Sequence, residues 1–321
     1  WYLPKKGNSY RPNNSLFAKK NTMKKLNINL ILIPVLLFVT VQSNAGNNKP
    51  FDIRAGLGFN RNTLNIQSDL NFNPSNSTNY NITPFISADY YFIKNWGIGL
   101  GIDYNRYSFL NTISNYKHSY TGTDNWEGDP VVRNYEFFIE SNNTNIDEAT
   151  VMHYLDIPVS AVYKHALSAK TNLTARAGLK IGIPLAGSYR LENSNLKTRL
   201  YFEEWDLELF NIPAHGLYDS RTDWHPEGQT SLTLATSVFA ELGIGYQLSP
   251  SINSRISAYY SYGLNDIISE SQNSLIYWRN TYNSILTLTE KVSLHQFGLR
   301  LSFSYSKVKK LAVRGHNLPI M

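Results

Sequence analysis

The most informative segment of the sequence reads VMHYLDIPVSAVYKHALSAKTNLTARAGLKIGIPL, from Val151 to Leu185. Alternate residues are apolar in both halves, with His153 as the polar exception, while the other face carries Asp156, Arg176 and Lys180. A period of two residues over a dozen positions is typical of a β-strand whose faces meet different environments. Soluble strands are usually about 5–6 residues long, whereas transmembrane barrel strands need roughly 9–11. The segment therefore predicts two neighbouring strands of a transmembrane barrel.

Six other segments show the same alternation, so the sequence predicts eight strands in all. The connections alternate between long and short, which is typical of a barrel with long extracellular loops and short periplasmic turns. An even number of strands leaves no unpaired edge in lipid. The expected fold is all-β, a transmembrane antiparallel up-and-down β-barrel. Its predicted strands are Phe51–Asn60, Ile82–Phe92, Gly97–Tyr104, Val151–Tyr163, Leu173–Leu185, Leu232–Tyr246, Ile252–Leu264 and Phe297–Tyr305.

Two alternatives to this barrel stay open. Aromatic and β-branched runs at Asn134–Ile139 and Leu275–Leu288 make ten strands possible. A soluble lipocalin-type or sandwich fold would also alternate, with its charged face in solvent. The aromatic residues favour the membrane, because they gather at the ends of the apolar faces while Ile, Leu, Val and Ala fill the middles. Two such belts match the two interfaces of a bilayer.

The N-terminal residues indicate export. Met23-Lys24-Lys25 precedes a short apolar run and Ser43-Asn44-Ala45 follows it. This pattern predicts a secretory signal peptide over residues 23–45 rather than a transmembrane anchor, because the run is short and interrupted by polar residues. Residues 1–22 are expected to be an upstream extension, absent from the mature protein. Residues 46–306 are expected to form the barrel, and 307–321 a basic periplasmic tail.

Charge and composition narrow the function. The chain has 30 basic and 24 acidic residues, but seven basic residues lie before Gly46, so the mature chain would have 23 basic residues against 24 acidic. Nucleic acid is therefore not an expected partner. There is no cysteine for a disulfide or a thiolate metal site. No cofactor or metal site is expected, and the glycines of Gly97–Gly101 alternate as in a strand rather than forming a nucleotide-binding loop.

The inward face of the predicted barrel carries equal numbers of acidic and basic residues. Buried charges persist when they are paired, and an eight-stranded barrel is only wide enough inside for side chains. A closed network filling the lumen is therefore favoured over a selectivity-lined pore, with Arg176 pairing to an inward acid, Asp156 being the nearest in the strand pairing. The inward charges are Asp52, Arg54, Asp89, Asp103, Asp156, Arg176, Lys180, Glu241, Arg255 and Arg300.

One motif resembles a known family. The run from His153 to Val159, HYLDIPV, looks like the Tyr-Leu-(Glu/Asp)-Ile-Pro strand of the PorT-like and OmpA-like outer-membrane β-barrel family of Bacteroidota. The Phe-Ser-Tyr-Ser ending at Ser306 resembles the aromatic last strand that barrel-insertion machinery reads. The resemblance covers residues 51–306. It implies a monomeric barrel in the bacterial outer membrane, surrounded by lipid and lipopolysaccharide.

Three functions are consistent with such a barrel. The first is a structural or binding role, with a side-chain-filled lumen and extracellular loops that bind a ligand or an envelope or extracellular protein. Loops 108–150 and 189–230 favour it, because they hold seven and eight of the 24 acids, together with Trp126, Trp205 and Trp224. The second is a lipid-A or phospholipid-modifying enzyme using His118, His153, His215 or His225, although no nucleophile signature is present. The third is a narrow pore or a secretion-associated barrel.

Overall fold

The computed structural model describes residues 51–67, 75–78, 80–125, 132–142, 144–277 and 281–306. Within them, eight long strands form a closed antiparallel ring in which the last strand pairs with the first. The predicted eight-stranded up-and-down barrel is therefore confirmed, while the predictions for residues 1–22, 23–45 and 307–321 lie outside the described residues. The barrel strands are β1 (Phe51–Gln67), β2 (Tyr80–Tyr91), β3 (Trp96–Ser114), β4 (Asn145–Ala166), β5 (Thr171–Asn193), β6 (Ala235–Gln247), β7 (Ile252–Gly263) and β8 (Lys291–Ser306).

The ring is staggered. A path through paired residues that starts at Asp52 on β1 returns to β1 at Asn62, ten positions further along the strand. Such a stagger goes with strands tilted by roughly 35–45° from the barrel axis. Because of the tilt, side chains that meet across the lumen come from strands and positions that are not paired in the sheet.

The two faces of the barrel differ as the sequence predicts. Outward aliphatic side chains such as Leu57, Leu179 and Ile256 are 46–59% exposed, whereas inward Arg54 is 2% exposed. Exposed aromatic residues lie at both ends of the aliphatic band, and both predicted belts are confirmed. The lower belt includes Phe92, Trp96, Tyr246, Phe303 and Tyr305, and the upper belt includes Phe59, Tyr104, Tyr260 and Tyr262.

The helices described in this chain are short, and none could cross a membrane.

Several strands are longer on the extracellular side than the sequence pattern predicts. β1 continues to Gln67 instead of ending at Asn60, and β3 continues to Ser114. Outward residues are no longer consistently apolar beyond the level where lipid ends. Inward residues above that level, such as Leu64 and Phe109, are still buried. The strand pairing therefore continues above the membrane. At its extracellular end β6 begins at Ala235, because Leu232 leaves the wall to bridge Ile268.

The ten-strand alternative is wrong, because the runs that suggested it lie outside the ring. Asn134–Ile139 belongs to a separate four-stranded sheet formed by Lys117–Asn125, Val132–Ser141, Leu196–Phe202 and Leu207–Phe210. Leu275–Leu288 contains the short pair Ile276–Tyr277 and Thr281–Tyr282 and the 3-10 helix Ile285–Leu288. We call the described residues of 115–144, 194–230 and 264–290 the canopy. Other short elements are strands Ser75–Thr78 and Glu227–Gln229, which lengthen the barrel wall, and 3-10 helices Glu203–Trp205 and Pro213–His215.

Two apolar clusters lie at the extracellular end of the barrel and in the canopy. The inner cluster fills the upper lumen, where inward strand residues meet Ile267, Ile268 and Leu286 of the canopy. The canopy core lies beyond it and joins all three canopy segments to the tops of β3, β4 and β5. The extracellular loops therefore form a folded layer with its own core. Strand residues of the inner cluster are Leu64, Tyr107, Phe109, Met152, Tyr154, Val292 and Leu294, and the canopy core includes Ile113, Tyr116, Phe137, Ile139, Leu200, Leu275 and Ile285.

Candidate functional site

A network of buried ion pairs crosses the lumen below the inner cluster. An Arg54 Nη atom lies 2.5 Å from a Glu241 carboxylate oxygen, and Arg300 lies 2.7 Å from Asp103 and 3.7 Å from Glu241. Arg176 pairs with Asp89. These charged side chains are 1–4% exposed. Arg54 also donates to Ser87, and Glu241 also accepts from Ser257. A buried charge is stabilised by an opposite partner and by such additional hydrogen bonds.

The partner expected for Arg176 is wrong, although its pairing to an inward acid is right. Asp156 instead lies 3.0 Å from Lys180 and accepts hydrogen bonds from Asn105 at 2.7 Å and Tyr107 at 3.4 Å. The barrel tilt explains this exchange, because Arg176 reaches across the lumen to Asp89 on β2 instead of along the wall to β4. The stagger of the ring, and not pairing between neighbouring strands, therefore decides which cation each carboxylate meets.

Lys164 is a member of the network that the sequence-based set of inward charges lacks. Its Nζ lies 3.0 Å from Asp52 at the periplasmic end of the lumen, and Asp52 also accepts from Ser306. Lys164 has the same parity as Asp156 and Ser160, so the two-residue period does assign it to the inward face. It lies one residue beyond the predicted end of its strand, and for that reason the predicted set of inward charges does not include it.

Arg255 is the inward cation that the network leaves out. Arg255 is 2% exposed, and none of its three guanidinium nitrogens has a hydrogen-bond partner within the described residues. Adding Lys164 to the predicted set gives six basic residues against five acidic ones, so one cation has no carboxylate of its own. In the lower lumen, below the inner cluster, the equal balance expected from the sequence is therefore not met, and Arg255 carries the excess charge there.

Packing leaves little free space in this lumen. Aromatic rings cover the cations, with the Arg300 guanidinium 3.8 Å from the Tyr259 ring centroid and 4.8 Å from that of Phe85. A Cβ at Gly99 would lie 2.8 Å from an Asp89 oxygen, so glycine there makes room for the Arg176–Asp89 pair. One small cavity lies within the charge network and another lies between the network and the inner cluster. Each has a volume of about 10 Å³, which suffices for about one water molecule.

The closed lumen predicts that the reconstituted protein conducts no ions. Single-channel recording in planar bilayers at neutral pH is expected to show no steady open level, because ion pairs block the lower lumen and the inner cluster blocks the upper lumen. A porin with an open lumen, reconstituted in the same bilayers, serves as the positive control. A steady conductance of the unmodified protein would contradict the packing described here.

Glu148 fastens the canopy to the barrel. It is fully buried near the extracellular end of β4, with oxygens 2.9 Å from the Tyr282 hydroxyl, 2.8 Å from the Ser284 hydroxyl and 2.9 Å from the Ile285 backbone nitrogen, all of which donate to it. Thr150 donates a further bond at 3.1 Å. Burial raises the pKa of Glu148, and these hydrogen bonds oppose the rise. The carboxylate thus holds the 3-10 helix Ile285–Leu288 across the mouth of the lumen.

The canopy ends in an exposed segment that combines acidic and aromatic residues. We call residues 203–210 the canopy tip. Trp205 is 50% and Phe210 60% exposed, and Glu203 and Glu204 face solvent beside them. The Arg133 guanidinium lies 5.2 Å from a Trp205 ring centroid. Leu207–Phe210 is also an edge strand of the canopy sheet, so the tip offers apolar surface, negative charge and backbone hydrogen-bonding groups together.

The other two predicted loop tryptophans differ from Trp205 in their positions. Trp224 packs against the canopy core, with its ring 5.7 Å from that of Tyr282 and under the Arg221 guanidinium. Trp126 lies outside the described residues. Trp205 is therefore the more exposed of the two predicted loop tryptophans that the structure describes.

The four histidines considered for catalysis occupy separate places. His153 faces outward from β4 and its Nδ1 lies 2.7 Å from the Tyr104 hydroxyl. His118 lies in the canopy sheet between Tyr116 and Tyr120. His225 contacts the Leu191 carbonyl, and His215 ends a 3-10 helix. Among the described residues, no group of three or more His, Asp or Glu is arranged to hold a metal ion.

Comparisons with solved structures return small outer-membrane barrels at low sequence identity. Neisserial surface protein A is 10% identical, with 79% of this chain and 96% of that chain covered and a TM-score of 0.34. OprG from Pseudomonas aeruginosa is 12% identical, with 81% and 97% covered and a TM-score of 0.39. Ail, the attachment invasion locus protein of Yersinia pestis, is 10% identical, with 81% and 100% covered and a TM-score of 0.30. No curated protein has a significant sequence match to this chain.

Sequence-family comparison identifies the barrel directly. The family model of the outer membrane protein beta-barrel domain matches residues 41–269, well over half of the chain. The match agrees with the closed ring of eight strands, the aliphatic outer band and the two aromatic belts. This chain therefore belongs to the outer membrane protein beta-barrel domain family, and its place is the bacterial outer membrane.

Proposed function

We propose that this protein is a surface-presenting barrel of the outer membrane, whose canopy tip binds a basic protein on the extracellular side. The supporting observation is the folded canopy, which holds the tip on an ordered sheet with a hydrophobic core. Binding residues commonly lie on loops that a rigid scaffold positions. The barrel and canopy together would supply that scaffold, and we propose that it works as a monomer.

The chemistry of the tip indicates the class of partner. Tryptophan is enriched among residues that dominate binding energy, and clustered carboxylates attract positive charge and speed association. In the canopy tip the carboxylates of Glu203 and Glu204 cluster beside Trp205. The Glu208 carboxylate extends this acidic surface, although it also pairs with Arg199 at 2.7 Å. A secreted or envelope protein with a basic patch fits this surface. From the motif at His153–Val159 we also propose that the barrel is of the PorT-like or OmpA-like type of Bacteroidota.

The alternatives have less support. A pore would need an open lumen, but the described cavities are the size of one water molecule. A lipid-modifying enzyme would need a nucleophile and a base within hydrogen-bond reach, and each of the four histidines considered occupies a different structural setting. The binding role is therefore the function we put forward.

Photo-crosslinking on living cells tests the proposal. A Trp205→benzoylphenylalanine variant is expected to form a discrete adduct with a basic protein, and the combined Glu203→Gln and Glu204→Gln changes should weaken that adduct severalfold. The matched control is Glu192→benzoylphenylalanine at the exposed top of β5, away from the tip. Equal adducts from both positions, or an adduct that is insensitive to the two glutamates, would refute a specific acidic tip.

A further inference from the structure

Arg255 keeps its positive charge in a part of the lumen where every described carboxylate already has a cation. A guanidinium is not deprotonated in proteins, and an isolated charge in a dry interior is very costly. The charge that compensates Arg255 therefore has to come from outside the ion-pair network. The pairs of that network are Asp52 with Lys164, Asp89 with Arg176, Asp103 with Arg300, Asp156 with Lys180, and Glu241 with Arg54.

Two hydroxyl groups near Arg255 also lack hydrogen-bond partners. The neighbours of Arg255 in the strand pairing are Gly245 on β6 and Ser302 on β8. Ser302 faces inward as Arg255 does, and residues paired in this way have Cβ atoms about 4.5–5.5 Å apart. The Tyr91 hydroxyl on β2 is close enough to interact electrostatically with the Arg255 guanidinium. Both hydroxyls are buried, and neither is hydrogen-bonded to any group that the structure describes.

These three donors lie toward the periplasmic end of the lumen. Arg255 is three residues from Ile252, where β7 begins after a short turn, and Tyr91 is the last residue of β2. At the same end the Lys164 side chain is 29% exposed, with its Nζ 5.6 Å from the Tyr91 ring centroid. A small ion from the periplasm can therefore reach the donors past Lys164. Glu148, the inward carboxylate near the extracellular end of β4, is separated from them by the inner cluster.

We propose that Arg255, Ser302 and Tyr91 bind one small monovalent inorganic anion, such as chloride, which enters from the periplasm. One negative charge equals the excess in the lower lumen, where six cations face five carboxylates. Water could accept the same hydrogen bonds, but it would leave the net charge in place. A halide ion accepts bonds from N–H and O–H groups and is only slightly larger than a water molecule, so it suits a packed lumen. The inference is independent of the canopy and its partner.

The dependence of stability on chloride tests this site. Urea unfolding of the full chain in detergent is measured while sodium chloride replaces sodium gluconate at constant ionic strength, so that screening stays the same. Gluconate is the larger anion and is expected to be excluded. A ligand that binds only the folded state stabilises that state. Each tenfold increase in chloride above its dissociation constant should therefore raise the ratio of folded to unfolded protein about tenfold.

Variants of the three donors separate a specific site from a general salt effect. Arg255→Leu should remove the dependence on chloride altogether. Ser302→Ala and Tyr91→Phe each remove one hydroxyl and should raise the chloride dissociation constant about tenfold, the loss expected for one hydrogen bond to a charged group. These two variants also keep the test valid if Arg255→Leu fails to fold. The matched control is Arg190→Gln on β5, an exposed arginine that pairs with Glu192 at 3.7 Å, and it should respond to chloride as the parent does.

Two results would overturn the assignment. The first is a parent protein whose unfolding is the same in chloride and gluconate. The second is a response to chloride that persists undiminished in Arg255→Leu, or in both Ser302→Ala and Tyr91→Phe, since the anion would then act elsewhere on the protein. Neither result bears on the canopy tip, because the tip and the anion site share no residue.

Discussion

Replacing Arg300 by leucine is expected to lower the free energy of unfolding by about 3–5 kcal/mol, the usual cost of removing one partner of a buried pair. Arg300 is 2% exposed and lies 2.7 Å from Asp103 and 3.7 Å from Glu241. Leucine would leave the Asp103 carboxylate desolvated and without a cation. Urea titration of the protein in detergent, followed by tryptophan fluorescence, measures the change.

Arg255→Leu is the matched control and is expected to behave in the opposite way. Both arginines are 2% exposed and face the same lumen, but no hydrogen-bond partner occurs for the Arg255 guanidinium within the described residues. Leucine would remove an uncompensated buried charge, so the free energy of unfolding should stay the same or rise. Equal losses in the two variants would mean that Arg255 has a partner in solution, and the inferred charge excess would be wrong.

Replacing Glu148 by leucine is expected to release the canopy from the barrel. The Tyr282 hydroxyl, the Ser284 hydroxyl and the Ile285 amide would lose their shared acceptor. Each buried donor left unsatisfied costs about 1–3 kcal/mol, which is large for one loop. Protease treatment of intact cells should therefore cut the segment 264–290 in this variant while the barrel survives. The adjacent Asp147→Leu change is the control, because Asp147 bonds only strand residues Thr112 and Asn193 among the described contacts.

The same carboxyl group makes the fastening depend on pH. Because burial raises the pKa of Glu148 in the folded protein, the folded state binds the proton more tightly than the unfolded state. The stability of the fastening should then be greatest in acid and should fall as pH rises from the ordinary carboxyl pKa through the raised one. Cleavage of the segment should increase over that window, and Glu148→Gln should flatten the dependence. A parent protein whose cleavage is the same at every pH would contradict the raised pKa.

Sequence reasoning succeeded wherever lipid imposed a rule. A strand in a bilayer must be apolar on every second residue, so Ile53, Leu179 and Ile256 were assigned to the outer face correctly. The same alternation assigns Arg54 and Glu241 to the lumen. The short turns separate the strands, so the number of strands that cross the membrane can be counted. These features are local, and each can be read from about ten consecutive residues.

The rest depended on contacts between distant residues. Arg176 meets Asp89, 87 residues away, because of a ring stagger that no single strand records. The canopy sheet joins Val132–Ser141 to Leu196–Phe202. Leu196–Phe202 alternates over only seven residues, fewer than a transmembrane strand needs. Glu148 looked like one loop acid among many, since its neighbours in sequence do not reveal that Tyr282 and Ser284 surround it.

The fastening by Glu148 also orders the events of biogenesis. The seam between β1 and β8 joins Asp52 to Ser306, 254 residues apart, and the Glu148–Tyr282 bond spans 134 residues. Contacts of such long range form late, because the chain must first lose the entropy of the intervening loops. The canopy draws on three separate loops, so it is complete only when the strands that carry all three loops have taken their places in the ring. A conformational antibody against residues 203–210 would therefore count finished molecules and ignore stalled insertion intermediates.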